Sequence, residues 1–299
     1  MKDKILITGS TGFVGKHLVE KLLNEGHTIL EITRNKTKSS KLFGDRTSKI
    51  EVNDINFNNK IIEFDPNVVV HLASYLTSSD RWNDVEKLIE SNILFLSKLL
   101  NTVSKLSLDL FINTGTFAEY FKGDDNYIPA YFYAATKTAS RSILNYYSNT
   151  YSFKQATAVP YTIYGGNDSS KKIIDLIIES TESKEKLELS PGEQILDFIH
   201  IEDVARFYEH MIKHRDNIPD NSNFKLGTGT GYSLKQIASI IESVTNKKTN
   251  INWGGKKYRE SDIMYAVADI EYINTIFDWK PKIKLEDGLL NMVKLNIYK

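Results

Sequence analysis

The chain has 299 residues and no cysteine, which excludes disulfides, thiolate metal sites, iron–sulfur clusters and a cysteine nucleophile. Lysine plus arginine balances aspartate plus glutamate at 38 each, so no global charge favours nucleic acid or an acidic membrane as partner. At 41% hydrophobic and 25% charged residues, the composition is that of a globular protein able to bury its own core. No run approaches the ~18 apolar residues of a membrane span, and Met1-Lys2-Asp3-Lys4 leads directly into a strand-like segment with no apolar signal region. These features predict a soluble, cytoplasmic protein with no membrane partner.

In chain order, Lys4 to Thr8 is a short apolar run that ends in glycines. Phe13 to Asn24 carries apolar residues at helical spacing and stops before Gly26. Thr28 to Thr33 and Val68 to Leu72 read as strands, Asp84 to Val103 as a long amphipathic helix, and Leu108 to Asn113 as a strand. Tyr133 to Tyr151 is a helix candidate and Ala156 to Tyr161 an extended one. Strands alternating with helices imply βαβ units, and unbroken apolar strands imply a parallel sheet covered on both faces. The pattern predicts an α/β fold, a Rossmann-type doubly wound sheet followed by a smaller α/β domain. Gly165-Gly166-Asn167-Asp168 marks the boundary, giving residues 1–165 plus part of 196–215 to the first domain and the rest of 166–299 to the second. A helix-like run from Lys171 and a strand over Leu196 to Ile201 belong to this later region, with polar loops at Pro219 to Asn223 and Asn246 to Asn250.

The sharpest local signal is Thr8-Gly9-Ser10-Thr11-Gly12-Phe13-Val14-Gly15, placed between a predicted strand and a predicted helix. Glycines there let the backbone turn tightly and approach a pyrophosphate, whose charge meets the free N–H groups of the helix start. A glycine-rich turn without a ligand is the plain alternative, but the strand–turn–helix context favours a dinucleotide. The second strand ends in Thr33-Arg34-Asn35 with no carboxylate at its tip. An acidic residue there suits the ribose 2′-hydroxyl of NAD and an arginine the 2′-phosphate of NADP, so Arg34 favours NADPH/NADP over NAD. Glu31 is the competing ribose ligand, though it lies inside the strand.

Tyr133 and Lys137 share a helix face at i, i+4, which allows an ammonium to lower the pKa of a phenol. Alone, the pair reads as a surface-exposed helix pair. Thr114-Gly115-Thr116 follows a predicted strand, at the sheet edge where ligands bind in open α/β folds. His210 and His214 lie at i, i+4, but with no supporting motif they read as a helix face rather than a metal site.

Together these segments resemble the extended short-chain dehydrogenase/reductases, the NAD(P)-dependent epimerase/dehydratase family of sugar-nucleotide enzymes. The resemblance also includes Val68-Val69-Val70-His71-Leu72-Ala73, Ser91-Asn92, Ile163-Tyr164-Gly165, Leu196 to Val204, Leu226-Gly227-Thr228-Gly229 and Trp279-Lys280-Pro281. It implies Tyr133 as proton donor to a sugar keto oxygen, Thr116 as hydrogen-bond donor to the same oxygen, and Lys137 on the nicotinamide ribose. It also implies that Leu72 and Ala73 line the cofactor, that Asp54 contacts adenine, and that Arg259 grips the diphosphate of a nucleotide-sugar substrate. A homodimer through the helices at Asp84 to Val103 and Tyr133 to Tyr151 is implied as well.

Departures narrow the expected activity. In the family's 4,6-dehydratases an Asp-Glu pair follows the hydroxyl residue, whereas Phe117 and Ala118 stand here and neither moves a proton. Thr162 and Leu196 replace an asparagine and an arginine common in relatives. Gly192-Glu193-Gln194-Ile195, Gly227 to Lys235 and Ile263 to Ala268 resemble the abequose-synthase-type reductases of 4-keto-6-deoxyhexose nucleotides. Those read Asn-Thr-Asp-Ser where this chain has Asn113-Thr114-Gly115-Thr116. The expectation is therefore NADPH-dependent reduction at C4 of a CDP-, dTDP- or UDP-linked 4-keto sugar. The alternatives are an NAD-dependent 4-epimerase and a non-catalytic NADP-binding protein.

Overall fold

The computed structural model describes residues 2–121, 126–166 and 171–297; Asn167 and Asp168 of the expected boundary lie outside them. The first elements are β1 (Lys4–Thr8), α1 (Phe13–Asn24), β2 (Thr28–Thr33), α2 (Lys36–Phe43), β3 (Ser48–Glu51), α3 (Phe57–Phe64) and β4 (Val68–His71). Then come α4 (Trp82–Ile89), α5 (Phe95–Val103), β5 (Leu110–Thr114), α6 (Phe132–Tyr151), β6 (Lys154–Pro160) and β7 (Thr162–Tyr164). The later chain holds α7 (Ile173–Ser180), β8 (Leu187–Leu189), β9 (Ile195–His200), α8 (Ile201–Lys213), β10 (Ser222–Leu226) and β11 (Gly231–Ser233). It closes with α9 (Leu234–Thr245), β12 (Ile251–Trp253), β13 (Tyr265–Ala266), α10 (Glu271–Ile276) and α11 (Leu285–Ile297).

Two compact units emerge. The first comprises residues 1–119, 127–159 and 205–224, the second 120–126, 160–204 and 225–299. In the first, strands among the described residues run in the order β10-β6-β5-β4-β1-β2-β3, and β1 to β6 pair in parallel. This is the doubly wound order, with the crossover point between β1 and β4 where such sheets bind ligands. Ile5, Leu6, Ile7 and Val68 to Val70 are fully buried, as strands covered on both faces must be. Leu96, Leu99, Leu100 and Val103 of α5 pack with Phe111 and Leu144 over one face of that sheet. The long helix expected over 84–103 is a rod from Trp82 to Val103 whose middle, Glu90 to Leu94, is a π turn that re-aims Asn92 inward.

Of the stretch 196–215, residues 196–200 lie in β9, which pairs with β7, β11 and β13, whereas residues 205–215 belong to the first unit, within a return that runs on over 205–224. Its strand β10 begins inside the stretch read as a polar loop. The alternation Ser222-Asn223-Phe224-Lys225-Leu226 buries every second residue, a period too short to stand out beside Pro219.

In the second unit, Phe198, Leu234, Ile237, Ile241 and Leu289 form the core. Three of the segments that carried the family resemblance meet at one buried carboxylate. Asp197 accepts hydrogen bonds from Thr228 N and Gly229 N at 2.9 Å, Thr228 Oγ1 at 2.7 Å and Ala268 N at 3.2 Å. Gly227 has no side chain because a Cβ would stand 2.4 Å from Asp197 Oδ2. Asp197→Ala orphans several buried N–H groups and is expected to lower unfolding free energy by about 1–3 kcal/mol. Urea unfolding followed by tryptophan fluorescence checks this, and an unchanged midpoint would refute it.

Candidate active site

The site begins where β1 meets β4. Thr8 Oγ1 lies 2.9 Å from His71 Nδ1 and accepts Ala73 N at 3.1 Å, which fastens the loop after β1 to the loop after β4. Burial lowers the pKa of His71 to about 3, so its ring is a neutral spacer rather than a charge. The two loops approach so closely that a Cβ on Gly9, whose φ is +72°, would meet Ala73 N at 2.8 Å. A Cβ on Gly15 would lie 2.2 Å from the carbonyl oxygen of Gly9. Gly12 caps α1 without a side-chain hydrogen bond, leaving the first N–H groups of that helix directed at the loop.

These constraints leave a cavity of about 720 Å³. Gly9, Thr11, Gly12, Arg34, Leu72 and Ala73 are among the residues that line it. Phe13, Val14 and Gly15 do not: they form the first turn of α1 behind the glycine loop. Asp54 does not line it either. Lys60 Nζ sits 2.5 Å from its carboxylate and Asn56 N donates to it at 2.9 Å, which together hold its pKa below the usual range and close a local turn. The buried Ser10 Oγ, also on the lining, has no hydrogen-bond partner among the described residues.

At the β2 end, Glu31 is wholly buried and accepts from Ser39 Oγ at 2.8 Å and from Thr47 Oγ1. It is therefore withdrawn from the cavity. Arg34 lines it instead, joined by Lys38 from α2, and neither cation has an ion-pair partner among the described residues. Sequence reading passed over Lys38, although its place one turn into the helix after Arg34 was the available signal.

The helix α6 supplies Tyr133 and Lys137, 7% and 3% exposed. The expected lowering of the phenol pKa by Lys137 does not occur. Burial pushes Tyr133 up to about 12, against a hydrogen bond with Ser74 that lowers it, while Tyr131 and Glu119 add to the rise. Burial lowers Lys137 to about 8, with Glu119 opposing and Arg141 assisting. Thr116 heads a short turn over Phe117–Glu119, its Oγ1 accepting Ala118 N at 3.3 Å. Asn92, aimed inward by the π turn, accepts Tyr75 N at 2.8 Å and donates to Thr136 Oγ1 at 2.9 Å, joining the loop after β4 to α6. Arg259 belongs to the second unit, where it is exposed and its backbone N–H donates to Asp262 at 2.9 Å.

A glycine cradle at the N-terminus of α1, with the orphaned Ser10 hydroxyl and a buried Tyr-x-x-x-Lys face, fits a nicotinamide dinucleotide. That combination defines a short-chain dehydrogenase/reductase-type enzyme. The NAD dependent epimerase/dehydratase family matches residues 5–227, and the chain belongs to that family. Among curated relatives, it is 27% identical to CDP-abequose synthase of Salmonella typhimurium over 98% of each chain. It is 28% identical to the Yersinia pseudotuberculosis enzyme of the same name, over 94% of this chain and 96% of that one. Among solved structures, UDP-glucuronic acid 4-epimerase of Bacillus cereus, in complex with UDP-glucuronic acid and NAD, superposes with a TM-score of 0.87. At 24% identity, covering 98% of this chain and 99% of that one, this shows the shared fold. By family, the chain is thus of the NAD-dependent epimerase or dehydratase kind. Among the described residues, no helix is long and apolar enough to cross a membrane.

Proposed function

We propose that the protein is a cytoplasmic NADPH-dependent reductase of the C4 keto group of a nucleotide-linked 4-keto-6-deoxyhexose. The observation that carries this reading is a site that holds the buried phenol of Tyr133 and the buried ammonium of Lys137, with no proton-moving side chain at positions 117 and 118. Such a set serves ketone reduction and lacks the acid and base for eliminating water.

When bound, the reduced nicotinamide supplies hydride to the carbonyl carbon. Tyr133 gives its proton to the keto oxygen as that oxygen gains charge, and solvent restores the proton afterwards. A phenol held at about 12 keeps that proton throughout the neutral range. The Thr116 hydroxyl donates a second hydrogen bond to the same oxygen. Lys137 presents its ammonium to the ribose, and Gly9 to Gly15 offer backbone N–H groups to the pyrophosphate. Arg34 and Lys38 supply paired charge for a 2′-phosphate. Arg259 is assigned to the substrate diphosphate. Ile89, Leu94 and Tyr146, exposed on the rod from α4 to α5 and on α6, support a homodimer through those helices.

Loss of reduced-nicotinamide absorbance, measured with NADPH and NADH against CDP-, dTDP-, UDP- and GDP-linked 4-keto sugars, tests the reading. Rapid oxidation of NADPH with one nucleotide is expected. Silence with all of them, together with NAD carried through purification, would replace the reductase by the 4-epimerase. Arg34→Ser with Lys38→Ser is expected to raise the KM for NADPH roughly tenfold or more while sparing NADH. Equal effects on both would remove the 2′-phosphate assignment.

A further inference from the structure

Behind the proposed catalytic face lies a charge pair that the chemistry above does not use. Glu119 is completely buried. Its carboxylate accepts Thr116 N at 2.8 Å, Thr138 Oγ1 at 3.3 Å, and Arg141 through Nε at 2.7 Å and Nη2 at 3.1 Å. Glu119 thus reaches back to the Thr116 amide while its own N–H donates to the Thr116 carbonyl at 3.1 Å, a variant of the T-x-x-E turn in which the acidic side chain ordinarily faces solvent and satisfies one amide. Here it faces inward and takes a guanidinium as well.

The position of Arg141 gives the pair its meaning. Tyr133, Lys137 and Arg141 fall at i, i+4 and i+8 on α6, one stripe of the helix. Glu119 ties the far end of that stripe to the backbone of Thr116. We infer that the Glu119–Arg141 pair is a positioning device that fixes the Thr116 hydroxyl relative to the Tyr133–Lys137 face. The inference rests on the catalytic roles proposed above for those three residues. A fork-shaped guanidinium on a carboxylate that also holds an amide leaves neither element free to shift alone. A loop shift of about 1 Å is enough to cost ~100-fold in rate.

The geometry also supplies a relocation test. A Cβ on Gly115 would lie 2.6 Å from Arg141 Nη2 and 2.7 Å from Glu119 Oε1, so position 115 points into the same charge site. Its φ is outside the left-handed region, so the backbone accepts a side chain there. The pair Glu119→Ala with Arg141→Met removes the tether without leaving a buried orphan charge. Gly115→Asp with Glu119→Ala keeps Arg141 and moves its carboxylate to the neighbouring position.

Hydrogen exchange of residues 114–121 and steady-state kinetics would be measured on both double variants. In Glu119→Ala/Arg141→Met, the amide of Thr116 is expected to exchange at least about tenfold faster. Its kcat is expected to fall about ten- to a hundredfold with the KM for NADPH unchanged. Gly115→Asp/Glu119→Ala should recover most of the kcat. Wild-type exchange and kcat in the first variant, a loss confined to melting temperature, or equal impairment of both variants would each overturn the inference. The exchange arm needs no substrate. Faster exchange in a protein that reduces none of the keto sugars would support the tether while sinking the reductase reading.

Discussion

Tyr133→Phe is expected to cut reduction of the 4-keto sugar by about 10²–10⁴-fold while leaving NADPH affinity nearly intact. The ring stays, so the packing of α6 against the loop after β4 stays; only the proton and the hydrogen bond with Ser74 are lost. Turnover near the wild-type rate would remove Tyr133 from proton transfer. The pH dependence carries a second check. Below about 8, Lys137 is charged and Tyr133, at about 12, is protonated, which is the form that reduction needs. As pH rises through about 8 the ammonium is lost before the phenol, so kcat/KM for NADPH should decline there. Lys137→Met should abolish that alkaline limb together with most activity, whereas a limb that survives in this variant belongs to another group.

Gly15→Ala is the second large effect. The added methyl would sit 2.2 Å from Gly9 O and 2.7 Å from Ser10 Cα, and neither backbone atom can swing aside as a side chain would. Helix α1 must therefore lift from β1, opening the loop proposed to receive the pyrophosphate. The expected result is loss of detectable NADPH binding by calorimetry and a fall of about 1–3 kcal/mol in stability. Gly12→Ala is the graded control: its Cβ would lie 3.1 Å from the same oxygen, an approach relieved by a small shift. Equal binding by wild type and the Gly15 variant would show that the glycine loop does not hold the cofactor.

What the sequence made legible was local. The run from β1 through the glycines to α1 declares itself within twenty residues, because strand, turn and helix-start signals follow one another directly. Tyr133 and Lys137 are legible because a helix makes i and i+4 neighbours. What stayed hidden depended on partners far along the chain or on packing. Glu119 meets Arg141 across 22 positions, and only the T-x-x-E spacing hinted that its side chain turns back on Thr116. Ser74 reaches Tyr133 through tertiary approach alone. Asp54, placed by resemblance at the adenine, is claimed by Lys60 six residues on. The phenol pKa moved opposite to expectation because periodicity shows neighbours but not the cost of burying a charge.

The origin of β10 bears on how the protein is made. The sheet that offers the glycine cradle is finished by a strand beginning at Ser222, well after the chain has left for the second unit and come back. During synthesis, β6 waits as a bare edge while some sixty further residues leave the ribosome, a state open to pairing with other chains. A gene truncated near residue 165 would make that transient state permanent. The first unit is therefore not a portable module: its sheet is complete only once residues 222–226 have come back to it.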